Sequence, residues 1–452
     1  MVSVAVDLRF GCWKGQGFDQ QLPQPKMAWR RQRKRQCELQ EFHTHHELLT
    51  VTTIVQIMDE EEEQRPRRGS VVGRQSVPRD RFSGYWRLMQ DYFLDPPVYG
   101  DNHFRRRFRM CKAMFLDICH AVAARNDYFK RKSNAAGLPG FATVQKVIAA
   151  LRLLAYGGPA DRLDEYIRMG ESTILECLDD FTRTMIDLYG RSYLRPPNAE
   201  DIARLLQKAE ERGFPGMIGS IDCMHWEWEK CPTGWHGQYR GHYKKPTIIL
   251  EAVASYDLWI WHAFFGMPGS CNDINVLHRS PVFDNLARGI GPAVTFNVNG
   301  RDYNMGYYLA DGIYPPWATL INGISSPQSN KHKYFTLKQA EYRKDVERAF
   351  GVLQAKYAIM KGPARKFNPI ALKNIVDCVI ILHNMGIDYE KGMEELRIED
   401  YDDATRPRLD PNRNVPEIRQ LIARHRQIRS RPANEQLKAD LIEHVWNKFG
   451  AQ

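Results

Sequence analysis

The sequence predicts an α/β protein in which an all-helical region precedes a region of mixed strands and helices. Three observations support this prediction. Apolar residues recur at helical spacing between residues 81 and 195. From Gly216 onward, short apolar runs of strand length replace that pattern. Two further helical stretches, Lys338–Tyr357 and Ile370–Met385, follow these runs.

The size and charge of the chain set the first limits on function. With 452 residues, it is long enough for two or three domains. Its hydrophobic content of 43% and charged content of 26% are typical of a mostly globular protein. The net charge of +10 favours a polyanionic partner, nucleic acid above all. The alternative is a structural basic protein whose acidic motifs are coincidental.

The cysteines and the apolar runs predict an intracellular chain that does not span a membrane. Nine cysteines, an odd number with no C-x-x-C pair, indicate a reduced intracellular chain rather than a disulfide framework. The chain reaches Asp7 before any apolar segment develops, so we expect no signal peptide. The longest apolar run, Ile375–Leu382, contains Asp377 and is too short to span a bilayer, so we expect no membrane segment.

Residues 1–80 are predicted to form a disordered, charged N-terminal region. A basic cluster at residues 30–35 and a basic patch at residues 65–68 lie on either side of an acidic run, Asp59–Glu63. Opposed charge blocks of this kind are typical of tails. The basic cluster is either a nuclear localisation signal or DNA-contacting arm, or a solvated charge run without a receptor.

Residues 81–195 are predicted to form a helical, helix-turn-helix-like domain. Four arginines, at positions 105–107 and 109, precede its first apolar stripe and could face phosphate or solvent. Gly157 is expected to end one helix, and Ser172 to cap another. The predicted helices are a stripe from Phe108 to Val122, then Thr143–Tyr156, Ala160–Met169 and Thr173–Tyr189.

The last two of these helices suggest a helix-turn-helix, because only a short turn at Gly170 separates them. The second helix would then enter a DNA major groove. An ordinary helical bundle is the alternative. The second helix carries four acidic residues against Arg183, which argues against its whole length lying on DNA.

Residues 213–388 are predicted to form the second domain, after a short helix over Ala199–Arg212. Its predicted strands are Met217–Ile221, a hairpin of Thr247–Ser255 with Leu258–Phe265 around Tyr256-Asp257, and Tyr307–Leu309. Residues 392–452 are predicted to be a charged C-terminal tail, which ends in an amphipathic helix over Glu435–Phe449.

Four acidic residues stand in contexts that suit metal-dependent phosphoryl chemistry: Asp222, Asp273, Asp311 and Glu347. The first and third follow short strands, and Glu347 lies on a helix with Arg343 four residues before it. Carboxylates so placed can converge on two divalent cations that clamp the attacking and leaving oxygens of a phosphodiester. Hard oxygen ligands of this kind suit Mg²⁺ or Mn²⁺.

The order strand, hairpin, strand, helix, with acids at these points, indicates a ribonuclease-H-like fold. In that geometry the first strand ends in Asp222, a neighbouring strand ends in Asp311, and a helix packed on the sheet supplies Glu347. Asp273 follows the hairpin and could be a fourth ligand, a helix cap or an acid that orients a water or a base. Each acid alone could be a turn residue, a helix cap or a member of a surface ion pair. The combination of four acids favours a metal site.

Two other clusters lie between the first acid and the hairpin. One contains zinc-type ligands whose spacing matches no standard zinc knuckle, namely Cys223, His225, Cys231, His236 and His242. His225 is expected to line the active site or to bind a phosphate instead. The other is an aromatic and basic loop that could stack on splayed bases, or could be partly buried with a basic rim. Its residues are Trp226, Trp228, Trp235, Tyr239, Arg240, Tyr243, Lys244 and Lys245.

Four motifs together resemble the PIF/Harbinger-type transposases, in particular the plant transposon proteins: GSIDCMHW, PTIILEAVASYDLWIWHAFFGMPGSCNDINVL, ADGIYP and RKDVERAFGVLQAKY. The resemblance extends from about Asp80 to Asp388 and is most specific over residues 216–360. It implies a DDE-type nuclease and strand transferase that cuts DNA at transposon ends. Asp222 would be the first acid and Glu347 the last. Geometry favours Asp311 over Asp273 as the middle ligand, although both stand in motifs that the family keeps acidic.

The same resemblance implies partners and a location. We expect a nuclear protein that uses Mg²⁺ or Mn²⁺, binds DNA and needs a second, Myb-like DNA-binding protein; whether it forms a homo-oligomer is left open. Some relatives have been domesticated into host regulators, so the alternative function is a DNA- or chromatin-associated adaptor without catalytic activity. The four intact acids favour the active nuclease.

Overall fold

The helical elements account for most of the chain that the computed structural model describes, which is residues 77–133, 137–241, 244–290, 294–395 and 418–450. These residues belong to one structural unit, and the expectations for residues 1–76 lie outside them. The longer helices are α1 (Arg81–Tyr92), α2 (Asp101–Phe108), α3 (Lys112–Arg125), α4 (Thr143–Tyr156), α5 (Glu171–Tyr193), α6 (Ala199–Glu211), α7 (Asn330–Lys356), α8 (Pro369–Glu395), α9 (Ile418–Ile428) and α10 (Arg431–Phe449).

Local signals fix several helix ends. α4 covers the predicted residues and ends at Gly157, whose φ of 63° is the left-handed conformation that glycine adopts without steric cost. The cap predicted at Ser172 is wrong, because α5 begins at Glu171 with Gly170 in the capping position. α7 begins before the predicted Lys338, because the hydroxyl of Ser329 accepts a hydrogen bond from the backbone N–H of His332 and caps the helix there.

The region predicted as a helix-turn-helix packs as a bundle. Its first predicted helix is only a 3₁₀ turn, Ala160–Leu163, followed by one α-helical turn, Asp164–Ile167. α5 packs against α4 and α8. The face of α5 that does so is buried and consists of Ile174, Cys177, Leu178, Phe181 and Met185. This packing agrees with the helical-bundle alternative.

A five-stranded mixed sheet forms the second half of the fold. The strands are β1 (Met217–Glu227), β2 (Thr247–Ala254), β3 (Ile260–Pro268), β4 (Phe296–Val298), β5 (Arg301–Tyr303), β6 (Tyr307–Leu309) and β7 (Leu320–Ile321). The order in the sheet is β3-β2-β1-β6-β7, with β1, β2 and β3 antiparallel and β1, β6 and β7 parallel. β4 and β5 pair separately as a small hairpin.

The predicted hairpin and the β6 strand are confirmed, but β1 is longer than the predicted Met217–Ile221. It continues to Glu227 because β2 pairs with it as far as Thr247. The expectation that the strand ends in Asp222 is therefore wrong. Asp222 lies in the middle of β1, opposite Ala252.

The helices and the sheet share one hydrophobic core, which contains Leu88 and Phe181 from the helical region and Trp226 and Leu250 from the sheet. The chain is thus a mixed α/β fold with a helical N-terminal region, while the exact domain boundaries stay a prediction. α8 belongs to this core. Among the described helices it alone is long and apolar enough to cross a membrane, but 72% of its apolar window is buried inside the fold, as in a core helix of a soluble protein.

Part of the predicted C-terminal tail is folded. α10 contains the predicted helix, begins at Arg431 and buries Leu437, Leu441 and Val445 against Tyr307 and the rest of a second core. The buried side chain of Asn434 donates to the backbone carbonyls of Trp317 and Leu320, at 2.7 and 2.6 Å. The helix therefore covers the β7 edge of the sheet, which would otherwise be open to solvent.

Candidate active site

Asp222 stands at the centre of the candidate site. Its side chain is 20% exposed. One carboxylate oxygen, Oδ1, accepts a hydrogen bond of 2.8 Å from the backbone N–H of Cys223, and the other lies 3.5 Å from Nη1 of Arg343. The central position of Asp222 in β1 holds this carboxylate on the rigid part of the sheet.

Helix α7 supplies Glu347. The helix packs across β1, where the backbone N–H of Val346 donates to the hydroxyl of Ser220 at 3.1 Å. Next to this contact, Nη2 of Arg343 lies 2.7 Å from Oε1 of Glu347. A single guanidinium therefore bridges Asp222 and Glu347, and the two carboxylates face the same side of the helix–strand contact.

The parallel pairing of β1 and β6 places Asp311 just after the strand next to that of Asp222. Ser220 is opposite Leu309, so Asp222 and Asp311 each follow a paired residue by two positions. Neighbouring strands are about 4.8 Å apart. The side chain of Asp311 is exposed, and its Oδ1 accepts a 2.6 Å hydrogen bond from the N–H of Gly312.

Asp273 approaches the same carboxylates from the other direction. It begins a short helix, Asp273–Leu277, after β3, and Asn272 rather than Asp273 caps that helix. The reading of Asp273 as a cap is therefore wrong. Burial raises the pKa of Asp273, a hydrogen bond with Cys223 and the charge of His225 lower it, and the charge of Asp311 raises it.

The electrostatics show that these carboxylates act on one another. The pKa of Asp222 is raised to about 6, mainly by burial. The charges of Asp273 and Glu347 raise it further. The hydrogen bond from Cys223 and the charge of Arg343 oppose this rise. The charges of Asp222, Asp273 and Glu347 are therefore coupled, and Arg343 offsets part of them.

The donor set fits a hard divalent cation in its chemistry. All four predicted ligands offer carboxylate oxygens, which are the ligands that Mg²⁺ and Mn²⁺ prefer. Within the described residues, no three His, Cys, Asp or Glu side chains are close enough together to hold one ion. Arg343 lies where Asp222 and Glu347 approach each other, so holding a cation between them requires this side chain to move.

The zinc-type residues are engaged separately. The thiol of Cys223 lies 3.5 Å from the hydroxyl of Tyr314, and Nδ1 of His225 lies 3.0 Å from the hydroxyl of Thr247. The ring of His236 contacts the backbone carbonyl of Cys231. His242 lies outside the described residues. Burial lowers the pKa of His225, and the charge of Asp273 opposes this fall, so this histidine is near the acidic site.

Two tryptophans of the aromatic loop are structural. Trp226 and Trp228 are buried, and their indole N–H groups donate to the carbonyls of Gly362 and Lys366, each at 2.8 Å. Trp235 is 43% exposed, and its ring stacks on that of Tyr239. The partly buried alternative is therefore correct for the two buried tryptophans, while base stacking by the loop stays a prediction.

Sequence reasoning missed Glu251. This residue is fully buried in β2, opposite Cys223, and it accepts a hydrogen bond from the hydroxyl of Ser280. Its charge raises the pKa of Asp273, although burial is the main cause of that rise. An acid within the otherwise apolar strand IILEAVA was the signal that could have revealed it.

The raised pKa of Asp222 predicts a pH dependence of stability. Between its ordinary value of 3.8 and about 6, the folded protein keeps a proton that the unfolded chain has released. The contribution of Asp222 to stability therefore falls as the pH rises through about 4 to 6. In metal-free buffer, Asp222→Asn should gain stability relative to the wild type between pH 4 and pH 7, as measured by thermal unfolding. A stability difference that is constant over this range would contradict the assignment.

Two protein-family models and several known proteins are similar to parts of this chain. A family model described as plant transposon protein matches residues 191–394, and a model for a domain of unknown function, DUF8418, matches residues 84–123. The "Putative nuclease HARBI1" proteins of Bos taurus, Homo sapiens and Mus musculus are each 19% identical to this chain over 252 residues. The alignment covers 55% of this chain and 68% of each relative. No solved structure matches the chain. The first family match contains all four acidic residues.

Proposed function

We propose that this Harbinger-type, transposase-like protein is a divalent-metal-dependent DNA endonuclease and strand transferase that cuts and joins DNA at element ends. One observation carries the proposal. Arg343 bridges Asp222 of β1 and Glu347 of the helix across the sheet, and the charge of Asp273 acts on Asp222. Asp311 follows the neighbouring parallel strand.

The sheet supports a ribonuclease-H-like fold. That fold requires the strand with the second acid to neighbour the strand with the first, and β6 pairs with β1. It also requires a helix that packs on the sheet and supplies the third acid, as α7 does with Glu347. Three antiparallel strands continued by two parallel strands match the predicted order of strand, hairpin and strand.

Each acid has a role in this proposal. Asp222, Asp311 and Glu347 would hold the metal, with Asp273 as a fourth ligand or as an acid that orients a water. The bound cations would polarise the scissile phosphate and lower the pKa of the attacking water or 3′-hydroxyl. The chain itself contributes position, because Asp222 is fixed within a strand and Glu347 on a packed helix. Arg343 neutralises part of the carboxylate charge until the metal binds.

This role of Arg343 leads to a prediction. Arg343→Gln should bind Mn²⁺ more tightly than the wild type, by about tenfold, because the cation no longer competes with a guanidinium for two carboxylates. Calorimetric titration of the full chain with Mn²⁺ measures this change. Lys344→Gln is the matched control, since it removes an equal charge from the next residue of α7, which forms no ion pair among the described side chains. Unchanged or weaker Mn²⁺ binding by Arg343→Gln would contradict competition between the cation and the guanidinium.

The partners follow from the proposed reaction. The substrate is duplex DNA with the element's terminal repeats, which agrees with the net charge of +10. The protein would act in the nucleus together with a Myb-like DNA-binding partner. The helical bundle supports a need for this partner, because α5 buries its apolar face and pairs Arg183 with Asp180, rather than presenting a basic surface.

Cleavage of a DNA that carries the terminal repeats tests the proposal. The assay uses Mg²⁺ or Mn²⁺, with and without the Myb-like partner, and EDTA as the metal-free control. Metal-dependent cutting supports the nuclease. Binding of DNA or partner without cutting, under conditions where a related transposase is active, would instead identify a domesticated adaptor.

A further inference from the structure

Four arginines gather in the helical region and form no ion pair with any carboxylate among the described residues: Arg107, Arg109, Arg152 and Arg162. Arg107 and Arg152 both donate to the hydroxyl oxygen of the buried Tyr92, at 2.5 and 3.0 Å. The guanidinium groups of Arg109 and Arg152 each lie 5.7 Å from the centre of the Tyr156 ring. Three cations are thus held around two neutral phenol rings.

Two acids of the same region are engaged with other partners. Asp164 holds Arg79 at 2.6 and 2.5 Å, and Asp91 accepts a 2.5 Å hydrogen bond from Tyr166. The Nε atoms of Arg109 and Arg152 are buried and have no hydrogen-bond partner. Arginines that share the same tyrosine rings repel one another. Buried N–H donors without acceptors also cost folding free energy. An anion with several acceptor oxygens would relieve both.

A cavity beside these arginines gives an anion access. Arg152, Tyr156 and Arg162 line it, together with the apolar side chains of Leu153 and Leu163, and its volume is about 320 Å³. Tyr156 is 48% exposed at this cavity. This volume is large enough for a phosphate group, and two arginines, Arg152 and Arg162, are among the residues that line it.

We propose that this cavity binds a backbone phosphate of duplex DNA. The proposal rests on the proposed nuclease function and deepens it, because it assigns a second contact for the same substrate. The cavity is near the helix that carries Glu347: Gly157 at the end of α4 is so close to Ala358 that an added Cβ would lie 2.7 Å from its carbonyl oxygen. Glu347 precedes the end of α7 by nine residues, roughly 14 Å. A duplex at the acidic site spans this distance within about four to six base pairs, at about 3.4 Å each.

The test is the salt dependence of duplex binding by the full chain. Fluorescence anisotropy of a labelled duplex is measured in EDTA, so that no cutting occurs, for the wild type, Arg152→Gln, Arg162→Gln and Arg183→Gln. Arg183 is the matched control, since it is an exposed arginine of the same region that pairs with Asp180 at 2.9 Å. Each cavity variant should reduce the slope of log K against log salt by about 0.9 and weaken binding at low salt, because one phosphate contact is lost. The control should leave both unchanged.

The possible outcomes separate this inference from the proposed function. Arg162 is exposed, so its variant decides the test if Arg152→Gln fails to fold. The cavity is overturned as a phosphate site if Arg162→Gln and any folded Arg152 variant keep the salt slope of the wild type. Metal-dependent cutting by the wild type would still uphold the nuclease. A wild type that binds no duplex at all overturns the cavity as a phosphate site, while cleavage in the presence of the Myb-like partner still decides the nuclease. Reduced slopes together with cutting that survives Asp222→Asn support the cavity and overturn the proposed active site.

Discussion

Asp222→Asn and Glu347→Gln are each expected to reduce metal-dependent DNA cleavage by about a thousandfold or more, because several kcal/mol of transition-state charge stabilisation is lost. Both substitutions keep the size of the side chain and remove its charge. Asp222 lies within β1 and Glu347 on α7, so neither change alters a helix cap or a turn. Initial cleavage rates at saturating Mn²⁺, with DNA that carries the terminal repeats, measure the effect.

Glu341→Gln is the matched control for this experiment. Glu341 lies on the same helix, is 52% exposed and pairs with Lys338 at 3.0 Å. Its substitution should leave the cleavage rate within about twofold of the wild type. Equal rates for Asp222→Asn and the control would refute the proposed site. Asp273→Asn and Asp311→Asn are compared under the same conditions. The central ligand is the residue whose substitution lowers the cleavage rate more.

Asp345→Ala is expected to lower the free energy of unfolding by about 3–5 kcal/mol, because it leaves a partly buried arginine without its partner. Asp345 is fully buried and lies 2.5 Å from Nη1 of Arg212, which is 17% exposed. It also contacts Arg348. This ion pair ties the end of α6 to the middle of α7, two residues before Glu347. Urea denaturation, followed by circular dichroism, gives the free energy of unfolding.

Glu341→Ala serves as the comparison for stability. Its ion pair with Lys338 is exposed to solvent and joins residues three apart on one helix. Such pairs contribute only about 0–1 kcal/mol. A loss for Asp345→Ala no larger than that for Glu341→Ala would mean that the Arg212–Asp345 pair does not hold α7 in place.

Local patterns were sufficient for much of the fold. The apolar period of α4, its glycine stop and the hairpin of β2 and β3 were all predicted, because propensity and turn chemistry act over a few residues. The resemblance to Harbinger-type transposases is also confirmed by the family match over residues 191–394 and by the HARBI1 relatives. The first helix predicted for the helix-turn-helix is only a 3₁₀ turn followed by one α-helical turn, and α5 buries its apolar face, which agrees with the helical-bundle alternative.

The sequence by itself determined the residue types of the candidate site, since the four carboxylates and their motifs indicate metal-dependent chemistry whatever their exact placement. Only the tertiary structure decided how they meet. The pairing of β1 with β2 extends β1 beyond the predicted residues and places Asp222 within it, and the pairing with β6 brings Asp311 alongside. Packing of α7 brings Arg343 between Asp222 and Glu347, and it buries Asp345 against Arg212. These contacts join residues far apart in the chain, and no local pattern encodes them because their free energy depends on burial and on the partner strand.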